Sequence, residues 1–414
     1  MYIMSQHDAP WIRKVIIMML LTCVASSTAT LEPTEPLAAV VKSVNDFSLD
    51  LYLKEAEIKG PGENILLSPL SAFLVTAMVH AGAEGLTKDE ITKALRYPRD
   101  GGTLEKGFML LHNLLQNTPN VTLETANRVY VEENIGKKIK SNFQETIIGV
   151  HKSELLAADF QFHAEEERIS INEWVSNKTQ QKIVDLIPPG MVNHDTIMVL
   201  INAVYFHGEW KKQFSKKQTS EDDFYITNDQ TKTVKMMFIQ RKLKYANIPK
   251  LDAQAVELSY KNENFCLQII LPNSRHGLEA LQKKLSDGFD LSNIDFKSTL
   301  MILHLPKFKL AETVDIKSLY QKMGVTSMFQ QTANFSGMFD NASVHVSDAI
   351  QKTFMEVDER GTMAGAASSF KIVNRMMPSF KKFKVDHPYM VRLIMRNLSG
   401  ESVTLFIGSV YNPN

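Results

Sequence analysis

Apolar residues recur at helical spacing from Leu37 through Val41, Val44, Phe47 and Leu51, which predicts an amphipathic helix. Asn64-Ile65-Leu66-Leu67 then reads as a short strand. Ser68-Pro69 follows, a cap with proline in the first helical position, and predicts a helix to about His80. Helical spacing continues over Thr87–Leu95 and Leu104–Leu115. The later half alternates instead. Val256, Leu258 and Tyr260 share a parity, turn residues fill 261–264, and Phe265–Leu271 resumes, a hairpin pattern. Leu300–Leu305 and Ser402–Ile407 predict further strands. Helices mainly first and strands mainly later argue an α+β fold rather than alternating βαβ units.

The first 30 residues break this pattern. Arg13 and Lys14 precede an apolar run from Val15 to Val24, and small residues follow from Ala25 to Ala29. That is a secretory signal, too short to span a bilayer, with cleavage expected between Ala25 and Thr30. No linker or repeat interrupts 31–414, which predicts a single secreted, extracellular domain. Of the two cysteines, Cys23 lies in the signal, so Cys266 is left alone and no internal disulfide can form. Five sequons, at Asn120, Asn177, Asn334, Asn341 and Asn397, are candidate glycosylation sites.

Charge and motif content exclude several functions. Lys plus Arg and Asp plus Glu are 46 each, so nothing global steers the chain to nucleic acid or an anionic membrane. There is no G-x-S-x-G, P-loop, G-x-G-x-x-G or H-E-x-x-H motif. The histidines lack ligand spacing, so no metal site is expected. His151 with Glu154 reads as a surface pair, and Glu165-Glu166-Glu167 as a solvated face. Lys137-Lys138-Lys140, Lys211-Lys212 with Lys216-Lys217, and Lys381-Lys382-Lys384 read chiefly as solvated faces, with weak glycosaminoglycan binding as the functional alternative.

The informative stretch begins at Thr353-Phe354-Met355-Glu356-Val357, a strand, and passes through Glu359 and Gly361 into a small, uncharged tract. Thr362, Ala364, Ala366 and Ser368 share one parity, and Phe370 and Ile372 continue it with apolar bulk. Such a segment is written as a latent strand able to enter a sheet over a packed core.

Several blocks now resemble the serpin family in order and spacing. They are Asn64–Ser71, Ile171–Val175 with Thr179 and Lys182-Ile183, Asn202–Trp210, Leu305–Phe308, Met323–Val325, Asp386–Tyr389 and Phe406–Val410. The chain is most similar to secreted arthropod serpins. The resemblance implies one large central β-sheet, two smaller sheets, about nine helices and an exposed reactive loop. It implies no catalytic residue and no cofactor: a monomeric irreversible inhibitor whose loop is attacked as substrate and, once cut, inserts into the main sheet and traps the acyl-enzyme. Counting seventeen from Glu359 places the reactive bond at Arg375-Met376, and Arg fits a trypsin-like serine protease. Glu359, Gly361, Thr362, Ala364, Ala366 and Ser368 become the hinge. Ser68, Ser71, Asn202, Trp210 and Gln351 become the residues that control strand separation. Gln351 stands where the family usually has histidine, and Tyr389 where it usually has phenylalanine. A non-inhibitory carrier or chaperone is the alternative, which the small hinge residues argue against.

Overall fold

The computed structural model describes residues 35–116, 118–361, 379–396 and 401–413. The chain opens with α1 (Glu35–Lys59), β1 (Ile65–Leu67), α2 (Pro69–Gly82), α3 (Gly85–Ala94) and α4 (Gly101–Gln116). β2 (Val121–Glu132), α5 (Glu133–Gly136), α6 (Ser141–Gly149), β3 (Leu155–Ala158), α7 (Phe160–Lys178) and β4 (Met198–Gly208) follow. Then come β5 (Ser220–Tyr225), β6 (Thr231–Ile248), β7 (Ala253–Ser259), β8 (Phe265–Pro272), α8 (Leu278–Ser286), β9 (Lys297–Pro306), β10 (Phe308–Asp315) and α9 (Ile316–Lys322). β11 (Asp348–Val357), β12 (Lys381–Lys384), β13 (Tyr389–Arg396) and β14 (Ser402–Val410) complete it.

The expected α+β class is observed, with nine α-helices among the described residues. Five strands form one sheet in the order β10-β11-β4-β2-β3. The others form a path β1-β14-β13-β8-β7-β6-β9-β12, with β5 on β6. The two smaller sheets of the expectation are here joined through β6. This long strand pairs with β9 over Met236–Tyr245 and with β7 over Lys244–Ile248.

The periodicity that predicts α1 buries Val41, Val44, Phe47 and Leu51. α2 is apolar on every side, so it must be enclosed. It packs against β14 as well as β2 and β4, and so fills the space between the two sheets. α7 covers the opposite face of the five-stranded sheet, where Ile171 and Val175 meet a second core with Val199, Ile201, Ile350 and Phe354. Its centre is thus sandwiched between helices. Among the described residues no helix is long and apolar enough to cross a membrane.

Candidate functional site

The centre of the five-stranded sheet is a parallel contact between β4 and β11, seven residue pairs long, from Val199–Asp348 to Tyr205–Phe354. Three polar residues lie side by side across it. Asn127 of β2 faces Asn202 of β4, and Asn202 faces Gln351 of β11. Gln351 and Asn202 are almost fully buried, so their amides must find protein partners. Gln351 Oε1 accepts the Ser68 amide N–H at 2.9 Å, and its Nε2 donates to Ser68 O at 2.9 Å and to Asn202 Oδ1. Asn202 Nδ2 donates to Ser71 Oγ at 2.6 Å and to Asn127 Oδ1 at 2.7 Å. Ser71 Oγ donates to Asn127 Oδ1 at 2.8 Å. These side-chain bonds reinforce the backbone ladder of the seam and fasten it to the start of α2 beneath it.

Ser68 occupies the cap position that its sequence suggests, but its hydroxyl does not cap α2. It donates instead to Leu405 O in β14 at 2.8 Å, linking the seam to the other sheet. Thr353 adds a similar tie, Oγ1 to Leu66 O at 2.9 Å.

Above the seam the chain leaves β11 in a turn closed by Trp210. Trp210 Nε1 donates to Asp358 O at 2.9 Å and its amide N–H to Arg360 O at 3.1 Å. Its indole stacks on Tyr260 with ring centroids 4.4 Å apart. The Phe214 amide donates to Glu359 O at 2.8 Å. The Glu359 carboxylate, 4% exposed, accepts from Lys307 Nζ and from Thr219 Oγ1, each at 2.8 Å. Burial raises its pKa, but the Lys307 and Thr219 bonds and its own amide outweigh this and hold it below the usual glutamate value. Gly361 has φ +82°, and a Cβ there would lie 2.2 Å from the Trp210 amide nitrogen. Both the left-handed backbone and the close approach demand glycine.

Thus Ser68, Ser71, Asn202 and Gln351 converge at the seam, and Trp210, Glu359 and Gly361 above it. Thr362, Ala364, Ala366, Ser368, Arg375 and Met376 lie outside the described residues, as do the signal segment and Asn397. Asn120, Asn177, Asn334 and Asn341 are exposed. The residues that sequence reasoning missed are Asn127, Thr353, Thr219 and Lys307. The polar identities of Asn127 and Thr353 inside strands were the available signal. His151 is a correction: it is 4% exposed, burial pushes its pKa down to about 3, and Glu154 pairs instead with Arg128 at 2.7 Å. Within the basic clusters Lys137, Lys140, Lys211 and Lys384 are each paired with a carboxylate. No group of three or more His, Cys, Asp or Glu suited to a metal occurs among the described residues.

The described residues thus show a sheet whose two central strands are tied by side-chain hydrogen bonds, with a turn packed against Trp210 above them. The profile described as Serpin (serine protease inhibitor) matches residues 42–413, and the chain belongs to this family. Antichymotrypsin-2 of Bombyx mori is 33% identical over 381 residues, covering 91% of this chain and 99% of that protein. Leukocyte elastase inhibitor of Homo sapiens is 32% identical over 380 residues, covering 89% and 97%. The crystal structure of Serpin48, a highly specific serpin in the insect Tenebrio molitor, matches with TM-score 0.81 at 30% identity, over 91% of this chain and 99% of that one. Along nearly its whole length the chain is similar to protease inhibitors rather than to catalytic enzymes.

Proposed function

We propose that the chain is a secreted, monomeric, irreversible inhibitor of trypsin-like serine proteases, cut at Arg375-Met376. The observation that carries this reading is the strand geometry. β11 and β4 run parallel, and the segment after Gly361 starts at the top of their seam. A strand returning from the end of β11 would run antiparallel to both neighbours, the arrangement a tight turn permits without any crossover. From Thr362 to Arg375 the chain can extend about 46 Å at roughly 3.3 Å per residue, more than the length of the seam. The small residues at Thr362, Ala364, Ala366 and Ser368 suit the inward face of that strand.

In this mechanism the protease serine attacks the Arg375 carbonyl, the Arg375-Met376 bond breaks, and Met376 leaves with the new amine. Arg375 stays esterified to the protease. The seam bonds of Gln351 and Asn202 then exchange as the cut segment enters, carrying the protease away before water completes the cycle. The signal-like segment with Arg13 and Lys14 supports secretion, and the exposed sequons support glycosylation. Incubation with trypsin tests the reading on a denaturing gel. A complex that survives denaturation and is lost in Arg375→Ala is expected. Simple cleavage without a complex would overturn it in favour of a non-inhibitory carrier.

A further inference from the structure

β2 and the helices behind it line a partly open cavity of about 480 Å³, within the range of small-molecule sites. Its apolar wall includes Leu70, Leu74 and Met78 of α2, Leu115 of α4 and Val121 of β2. Its polar wall includes His112 of α4 and His151, just beyond α6. His112 Nε2 and His151 Nδ1 are buried and have no hydrogen-bond partner. Buried polar atoms are nearly always satisfied, so two such nitrogens on one cavity wall need a reason. Packing holds the rings in place; that of His151 lies 5.2 Å from Phe108.

The chemistry of the wall narrows the ligand. Ser71 and Asn127 also line the cavity but are bonded to one another; the two imidazoles are the buried unpartnered groups in a polar lining that also includes Gln116, Thr118, Thr122 and Thr125. Burial first, and then the charge of Lys152, push His112 down to about 4; burial and the neighbouring His112 and His80 push His151 to about 3. Both rings are neutral at physiological pH, and a neutral ring can carry its proton on either nitrogen. The wall therefore offers two N–H donors, with the exposed Lys152 nearby. The one acidic residue on it, Glu124, is half-buried and already accepts from Gln180 Nε2 at 3.3 Å.

We propose that this cavity binds a small amphipathic monocarboxylic acid, its carboxylate held by His112 and His151 and its apolar tail lying between α2 and β2. Ser68, Ser71 and Asn127 border both the cavity and the polar seam. Occupancy thereby braces β2 against sliding and slows strand insertion, a consequence that rests on the inhibitory reading above.

Octanoate is the probe, titrated by calorimetry into the full chain with its histidines isotopically labelled. One saturable site is expected, with ring signals of His112 and His151 shifting as it fills. Leu74→Trp, which fills the apolar wall, and His112→Phe, which keeps the ring packing, should each weaken binding at least tenfold while thermal unfolding shows a folded chain. Octanol should bind at least tenfold more weakly than octanoate. Absence of saturable binding, or equal affinity in both variants, would overturn the site; equal affinity for octanol would overturn the carboxylate assignment. Saturating octanoate should lower the fraction of trypsin trapped and raise the fraction of chain cleaved. If the chain traps no trypsin at all, the inhibitory reading fails while the binding result stands.

Discussion

The two sheets use similar strands and hold them together in opposite ways. In the larger one, β8, β13 and β14 are antiparallel and buried nearly throughout. Its buried charges are satisfied within the fold: Arg396 Nη1 meets Glu257 Oε1 at 3.0 Å, and Arg392 donates to Thr404 Oγ1 and Leu291 O. In the five-stranded sheet, two halves meet at one parallel contact crossed by Asn127, Asn202 and Gln351. Separating apolar strands loses buried area in proportion to the opening, with nothing to replace it. A side-chain amide bond can instead be traded for another partner, at a net cost near zero once the new bond is made. In the proposed mechanism the placement of three amides thus selects which sheet opens and along which line.

The largest expected effect comes from wounding the permanent sheet. Ile269→Ala in β8 should lower stability by about 2–5 kcal/mol, and by similar amounts in intact and loop-cleaved protein, read by chemical denaturation of both. A loss confined to the intact form would erase the distinction between the sheets. Next is the seam. Asn202→Ala leaves one Gln351 N–H buried without a partner, at about 1–3 kcal/mol. Hydrogen exchange at β4 and β11 should then quicken roughly 5- to 150-fold, while β8 and β13 stay unchanged; equal quickening in both sheets would contradict a local seam.

A smaller effect runs the other way. Tyr389 of β13 is fully buried between Phe224 and Phe308, and its hydroxyl has no partner. Tyr389→Phe should stabilise by about 1 kcal/mol by removing that group, visible as a higher apparent melting temperature at a fixed scan rate. The smallest effect is at the turn above the seam. The Glu359 pKa is depressed, so its ionised form stabilises the fold above the ordinary glutamate pKa, and that contribution fades as pH falls through the lower folded value. Lys307→Met should cost about 1 kcal/mol or less at pH 7, and the deficit should shrink as the pH falls below about 4. A deficit independent of pH would show that Lys307 acts through packing instead.

Local patterns in the sequence read well where one residue's neighbours along the chain decide its state. The spacing of Val41, Val44, Phe47 and Leu51 found α1, and the turn residues at 261–264 found the β7–β8 hairpin. The seam was legible only through the family resemblance, because its partners are far apart in sequence: Ser68 and Gln351 are separated by 283 residues. Asn127 escaped because its role depends on its register with Asn202, which strand alternation alone cannot supply. His151 escaped for a related reason: it lies between α6 and β3, outside any periodic pattern, so only tertiary packing reveals that it faces inward.

The short edge strand β12 carries one last consequence. β11 belongs to the five-stranded sheet, while β12 is paired in parallel with β9 in the other, Lys381–Lys384 against Met301–His304. The chain between Val357 and Lys381 is therefore a leash clamped at each end in a different sheet. In the proposed mechanism an uncut leash could not lie down in the seam along its full length until β12 peeled from β9, whereas one severed between the clamps could. In the proposed mechanism, four residue pairs at a sheet edge would thereby act as the safety catch that keeps the molecule waiting for its protease.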